Sequence, residues 1–134
     1  MGDFRGLDMW HKARLLARSA YRLTRRLPAE ERYGLTSQIR RSAVSIMANL
    51  AEGCGRGRDR ELIRFISLAL GSAAELQCHL ILCQDLGYLT PEETAPVEAE
   101  IGRIRRMMAV LATRLREHPR HPPTNDRRPP TADR

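Results

Sequence analysis

Apolar residues recur along this chain at alternating spacings of three and four in four separate segments, the period of helices that bury one face. In the first, Met9, Ala13, Leu16, Ala20, Leu23 and Leu27 form the seam, Asp8 is placed to cap the start and Pro28 to end it, which predicts a helix over about 9–27. Gly34 opens the second, about 35–52, with a stripe of Leu35, Ile39, Ala43, Ile46 and Leu50. Gly53 is placed as its stop, because glycine accepts the left-handed conformation that closes helices. Asp59 is placed to cap a third helix over 59–86, ~42 Å long at 1.5 Å per residue. There Leu62, Ile66, Ala69, Ala73, Leu76, Leu80 and Cys83 keep a strict heptad, and Gly71, Ala73 and Ala74 are small enough for close helix approach. Gly87 ends it. Thr90-Pro91-Glu92-Glu93 is a capping box with proline at the first helical position. Val97, Ile101, Ile104, Met108, Leu111 and Leu115 then carry a fourth helix over 91–117, with Pro96 close enough to its start to be tolerated.

Four amphipathic segments with short links predict an all-α, antiparallel up-down-up-down four-helix bundle over residues 1–117. Residues 118–134, rich in Pro and Arg and without apolar periodicity, read as a disordered tail. On the third helix Ile63, Leu70, Ile81 and Leu82 lie off the seam, so its apolar surface is either a wide core stripe or partly buried between subunits. The second of these predicts a homo-oligomer.

Charge adds what periodicity cannot. The formal net charge is +7, and Lys12 is the only lysine among 23 basic residues. Residues 1–58 hold 12 basic against 5 acidic side chains, so the first two helices carry nearly all the excess. Such a bias points to an anionic partner, and the planar guanidinium suits phosphate; a GC-rich genome is an equal explanation for arginine over lysine. Arg14, Arg18, Arg22 and Arg25 fall on one face of the first helix, which also fits an ordinary solvated face. Arg40 and Arg41 on the second helix and Arg56, Arg58 and Arg60 at the following turn complete the candidate nucleic-acid-binding set. Aromatics amount to 4%, several of them placed for the core, so recognition is expected to be mainly electrostatic. The other class of function is a protein–protein assembly scaffold whose arginines only keep it soluble.

Catalytic and metal chemistry finds little support. Glu75 and His79 are spaced by four and have no companions for a di-iron set. Cys78 and Cys83 differ by about 140° around a helix and, with His79, lack a fourth zinc ligand. Gly53-Cys54-Gly55-Arg56-Gly57 has no preceding strand, as a phosphate-cradling loop requires. One bundle histidine with scattered cysteines makes no triad. No enzyme activity, cofactor or metal is expected. Cys54, Cys78 and Cys83 read as reduced thiols, and no signal peptide or run of about 18 apolar residues is evident, so a cytoplasmic protein with no membrane partner is expected.

The run Arg32-Tyr33-Gly34-Leu35-Thr36-Ser37-Gln38-Ile39-Arg40-Arg41, then Ser45-Ile46, Ala48-Asn49-Leu50-Ala51-Glu52-Gly53 and Gly55-Arg56, resembles the signature of the 23S rRNA intervening-sequence family of four-helix-bundle proteins. Arg64-Phe65-Ile66, Ala69-Leu70-Gly71-Ser72-Ala73-Ala74-Glu75-Leu76 and Asp85-Leu86-Gly87-Tyr88-Leu89 resemble its later parts, so that residues 4–116 are covered. The resemblance implies a small bacterial bundle encoded within insertions in rRNA genes or as a free-standing gene. It also implies kinship with the accessory protein of diversity-generating retroelements, a basic pentamer that engages nucleic acid and a reverse transcriptase. Within the motif Tyr33, Gly34, Gln38, Arg41, Asn49, Glu52, Gly53, Gly55, Arg56, Gly71, Ser72 and Glu75 are expected to fix helix and turn geometry rather than perform chemistry. Met47 stands where the family commonly has proline, which puts a kink in the second helix in doubt, and nothing transfers to the tail.

Overall fold

The seams that the period marks are the surfaces that meet. The structure, a computed structural model, describes residues 3–120. Its helices are α1 (Asp8–Thr24), α2 (Leu35–Gly55), α3 (Asp59–Asp85) and α4 (Pro91–Glu117), with 3₁₀ turns at Phe4–Gly6 and Ala29–Glu31. No strand occurs among the described residues. Helices adjacent in sequence pack together and α1 closes the ring on α4, while no Cα atoms of the diagonal pairs approach within 8 Å. Cross-helix bonds give the directions: Ser19 and Arg26 of the α1 side reach Glu100 and Glu93 of α4, and Gln77 and Gln84 of α3 meet Arg105 and Thr94 of α4. Rising numbers on one helix pair with falling numbers on the next, which makes the bundle antiparallel and all-α.

The core is aliphatic, as the scarcity of aromatics requires. Leu16, Ile39, Ile46, Leu50, Ile66, Leu76, Leu80, Ile101, Ile104 and Met108 are almost fully buried. On α4 the seam drifts late, so Ala112 is buried and Leu111 only partly. Thr90 caps α4 with a complete capping box, and Pro96 sits inside the helix. Gly87 has φ +76°, the left-handed turn that ends α3.

Several local expectations change. Gly53 does not stop α2, which continues to Gly55. Its missing side chain instead lets α3 approach: a Cβ there would lie 2.6 Å from the Cβ of Phe65. The left-handed residue of this turn is Gly57, at φ +72°. Gly71 and Ala74 face outward on α3, and nothing lies within 4 Å of a Cβ built at Gly71, so close approach there is carried by Ala69 and Ala73. Asp8 and Asp59 are the first residues of their helices rather than caps, with Leu7 and Arg58 in the cap positions. With Met47 in place of proline, α2 runs unbroken and Met47 packs against the core. By length and composition α3 holds an 18-residue window apolar enough to cross a membrane, mean hydropathy 1.5, contrary to the expectation that no such stretch exists. Core helices pass the same test, and its heptad seam is used here to fill the bundle.

Past α4 the chain turns back. The Arg120 backbone N–H and its guanidinium both bond the carboxylate of Asp59, which is only 6% exposed at the start of α3. Residues 121–134 of the expected tail lie outside the described residues.

Candidate nucleic-acid interface

The basic surface is built by two helices that lack acids along most of their length. From Met9 through Ala51 the only acidic residues are Glu30 and Glu31. Glu31 is committed elsewhere: Oε2 accepts the Leu35 N–H at 2.9 Å, closing the start of α2, and Oε1 accepts the Tyr88 hydroxyl at 3.3 Å. A Cβ at residue 34 would lie 2.5 Å from Glu31 Oε2, so a larger residue than Gly34 would push that carboxylate off the Leu35 N–H. The Tyr88 phenol is raised above its ordinary value, by burial first and then by the Glu31 charge.

Arg14, Arg18, Arg22 and Arg25 stand exposed along α1 and, with Tyr21, Val44 and Met47, line an open groove of ≈ 430 Å³ between α1 and α2. A second depression of ≈ 450 Å³ shares Tyr21 and Val44 and adds Arg32, Tyr33, Thr36, Ser37, Arg40 and Arg41. Among the described residues none of these arginines is ion-paired, whereas Arg26, Arg56, Arg64 and Arg120 pair with Glu93, Glu52, Glu61 and Asp59. Arg40 is the one fixed by the fold: its Nε donates to the buried Thr24 hydroxyl at 2.9 Å, and its guanidinium lies 4.5 Å from the Tyr21 ring centroid.

Six of the nine candidate arginines are therefore brought together. Arg56, Arg58 and Arg60 line neither depression; the turn that carries them lies at the other end of α2 from Arg40 and Arg41, Arg56 being about 24 Å from Arg40 at 1.5 Å per residue. Arg56 pairs with Glu52 at 2.9 Å and covers the Phe65 ring at 5.6 Å. Charge counting missed Arg32, Tyr21 and Tyr33. The usable signal was that Tyr33 belongs to no seam and Tyr21 lies one position off one.

Of the other motif residues, Ser72 and Gly53 join α2 to α3, and Asn49 bonds within α2. Asn49 Nδ2 donates to the Ser45 carbonyl at 2.8 Å and to its hydroxyl at 3.0 Å, and the Ser45 and Ser72 hydroxyls meet at 2.8 Å across the two helices. The Gln38 carbonyl accepts from Ser42, and Gly53 admits Phe65. Glu75 lies 3.5 Å from His79 Nε2, yet that atom has no hydrogen-bond partner among the described residues. Gly55 meets nothing within 4 Å of a built Cβ, and Arg41 and Tyr33 are exposed. Cys54 and Cys83 are buried and Cys78 exposed, burial pushing the Cys83 thiol up; no group of three or more metal-type ligands occurs among the described residues.

The sequence model of the 23S rRNA-intervening sequence protein family matches residues 5–110. A crystal structure of a protein with unknown function from the S23 ribosomal protein family, from Bacteroides thetaiotaomicron VPI-5482, is similar at a TM-score of 0.72 and 24% identity. The match covers 78% of this chain and 97% of that one, and at such identity the likeness is one of fold. No curated protein matches the chain.

Proposed function

The chain belongs to the 23S rRNA-intervening sequence protein family, and on that premise we propose that it is a non-enzymatic bundle that binds the phosphate backbone of RNA or another nucleic acid along the α1–α2 groove. The supporting observation is the run of arginines free of carboxylate partners on a surface whose two helices carry no acid between Met9 and Ala51 outside the Glu30–Glu31 turn. Unneutralised guanidinium groups gain most from phosphate, and releasing the counterions of a nucleic acid makes such binding fall with salt. The start of α2 is not the anion site, since the Glu31 carboxylate already occupies it. Fluorescence anisotropy with a labelled RNA at low and high salt tests the reading. Roughly micromolar binding at low salt, weakened at high salt and abolished by Arg14, Arg18 and Arg22 to Glu, is the expected result. Because all three side chains are exposed, the variant keeps its fold, and binding that survives it overturns the assignment.

A second reading, self-assembly, is favoured by α3. Between Arg64 and Asp85 its outer face carries one carboxylate, Glu75, and no lysine or arginine, while Leu68, Ile81 and Leu82 remain 44–49% exposed. Copies of a chain at +7 repel one another, so a contact between them belongs on this nearly neutral face. Light scattering after size exclusion tests it. An oligomer is expected, with a pentamer the stoichiometry that the family resemblance implies, and Ile81→Glu should dissociate it. A monomer in the unaltered protein would remove this reading and leave an assembly scaffold without support.

A further inference from the structure

We infer that the α1–α2 surface takes single-stranded nucleic acid, with bases stacked on Tyr33 and Tyr21 while the neighbouring arginines hold the phosphates. The inference rests on the phosphate-binding reading above and adds what the ligand must expose.

Tyr33 is 85% exposed, and its only ring contact among the described residues is Arg32, whose guanidinium lies 5.3 Å from the ring centroid. An aromatic side chain left in water contributes nothing to the core, and the fold has no hydrogen bond for its hydroxyl among the described residues. Tyr21, 43% exposed, lines the same depression and already carries a guanidinium, that of Arg40, at 4.5 Å. The site therefore offers two rings, each with a cation on it, and Arg41 beside them. A ring with a guanidinium on it is half of a stacked sandwich that a nucleobase completes. A duplex cannot supply that base, because its faces are already stacked, whereas an unpaired strand presents base and phosphate together. The open shape of the depression fits a passing strand better than an enclosed small molecule.

The probes are fluorescein-labelled oligo(U) and oligo(dT), an abasic strand with the same number of phosphates, and a blunt duplex of two annealed strands matched in phosphate number, each titrated against the full chain. Oligo(U) and oligo(dT) should bind about ten-fold more tightly than the abasic strand or the duplex, and the ratio between them separates RNA from DNA. Tyr33→Ala should remove that advantage while leaving duplex binding unchanged, and Tyr33→Phe should retain it. Since the ring is exposed, the folded fraction by circular dichroism should not change. Equal affinity for single strand, abasic strand and duplex, or a Tyr33→Ala variant indistinguishable from the parent, overturns the stacking inference but leaves phosphate binding intact. Absence of binding by every probe overturns both. Competition by poly-glutamate as effective as that by oligo(U) at equal charge overturns both in favour of an acidic protein partner.

Discussion

Gly53 of α2 and Phe65 of α3 touch so closely that a single added carbon at residue 53 would stand 2.6 Å from the Phe65 Cβ and 3.2 Å from a Leu62 methyl. Phe65 is 5% exposed and has guanidinium groups from Arg56 and Arg64 over its ring, so it has little room to retreat. Gly53→Ala should therefore destabilise the bundle by about 1–3 kcal/mol, as overpacking does. Gly71→Ala, on a helix interior with open space around it, should instead stabilise by about 0.5–1 kcal/mol. Urea denaturation of the two variants checks both signs at once. A Gly53→Ala protein as stable as the parent would mean that α3 can shift to admit the added carbon.

Glu93 gives the fold an acid-sensitive joint. The Thr90 backbone N–H donates to Oε1 at 3.1 Å, and that bond first, with Thr90's side chain and Arg26 adding to it against opposing burial, holds the carboxyl below its ordinary value of 4.5. A carboxyl lowered by folding stabilises the native state at pH values above its unfolded pKa, and that contribution fades as pH falls. The urea midpoint of the parent should exceed that of Glu93→Gln at pH 7, and the gap should close by about pH 3. Thr90→Ala should cost about 1 kcal/mol at pH 7. A gap that persists unchanged into acid would place the stabilisation elsewhere.

Elements whose information is periodic could be read from the chain, while features made by contacts distant in sequence could not. The heptad from Leu62 to Cys83 needs only its own spacing to declare a buried face, and Thr90 with Glu93 close a cap within four residues. Gly53 was misjudged because a glycine near a helix end has two uses, a left-handed stop or a close contact, and only the position of Phe65 decides between them. Glu31 hid its role in the same way: its partner Tyr88 lies 57 residues further along the chain. For the candidate site, net charge located the two helices that carry the arginines without carboxylate partners. It could not separate Arg14, Arg18, Arg22 and Arg25, which line the groove, from Arg56, Arg58 and Arg60, which line neither depression, nor reveal that Tyr33 stays in water.

The clasp between Arg120 and Asp59 predicts what the returning chain adds to stability. Asp59 is buried at the first turn of α3, where the helix dipole favours its charge, and Arg120 adds bonds from both its backbone and its side chain. Arg120→Ala should cost about 1–3 kcal/mol in a urea titration, because a buried carboxylate loses a charge-assisted bond. An Arg120→Ala protein as stable as the parent would show that Asp59 does not depend on that guanidinium.

Arg40 and Arg41 are neighbours in sequence with different duties. Arg41 is exposed and makes no ion pair among the described residues. Arg40 braces α1 against α2: its Nε reaches the Thr24 hydroxyl, 2.9 Å away on a residue only 2% exposed, and the same hydroxyl donates to the Tyr21 carbonyl at 3.0 Å. Removing Arg40 leaves the buried Thr24 oxygen with one partner fewer and takes the cation from the Tyr21 ring, so Arg40→Ala should lower stability by about 1–2 kcal/mol. Arg41→Ala should leave stability within about 0.5 kcal/mol of the parent. If the surface binds phosphate, Arg41→Ala should still weaken binding to RNA and reduce its salt dependence by about one counterion, a change that the loss of a structural brace would not produce. Measuring unfolding midpoints and the salt slope on the same pair of variants therefore separates the arginine that builds the groove from the one that would use it.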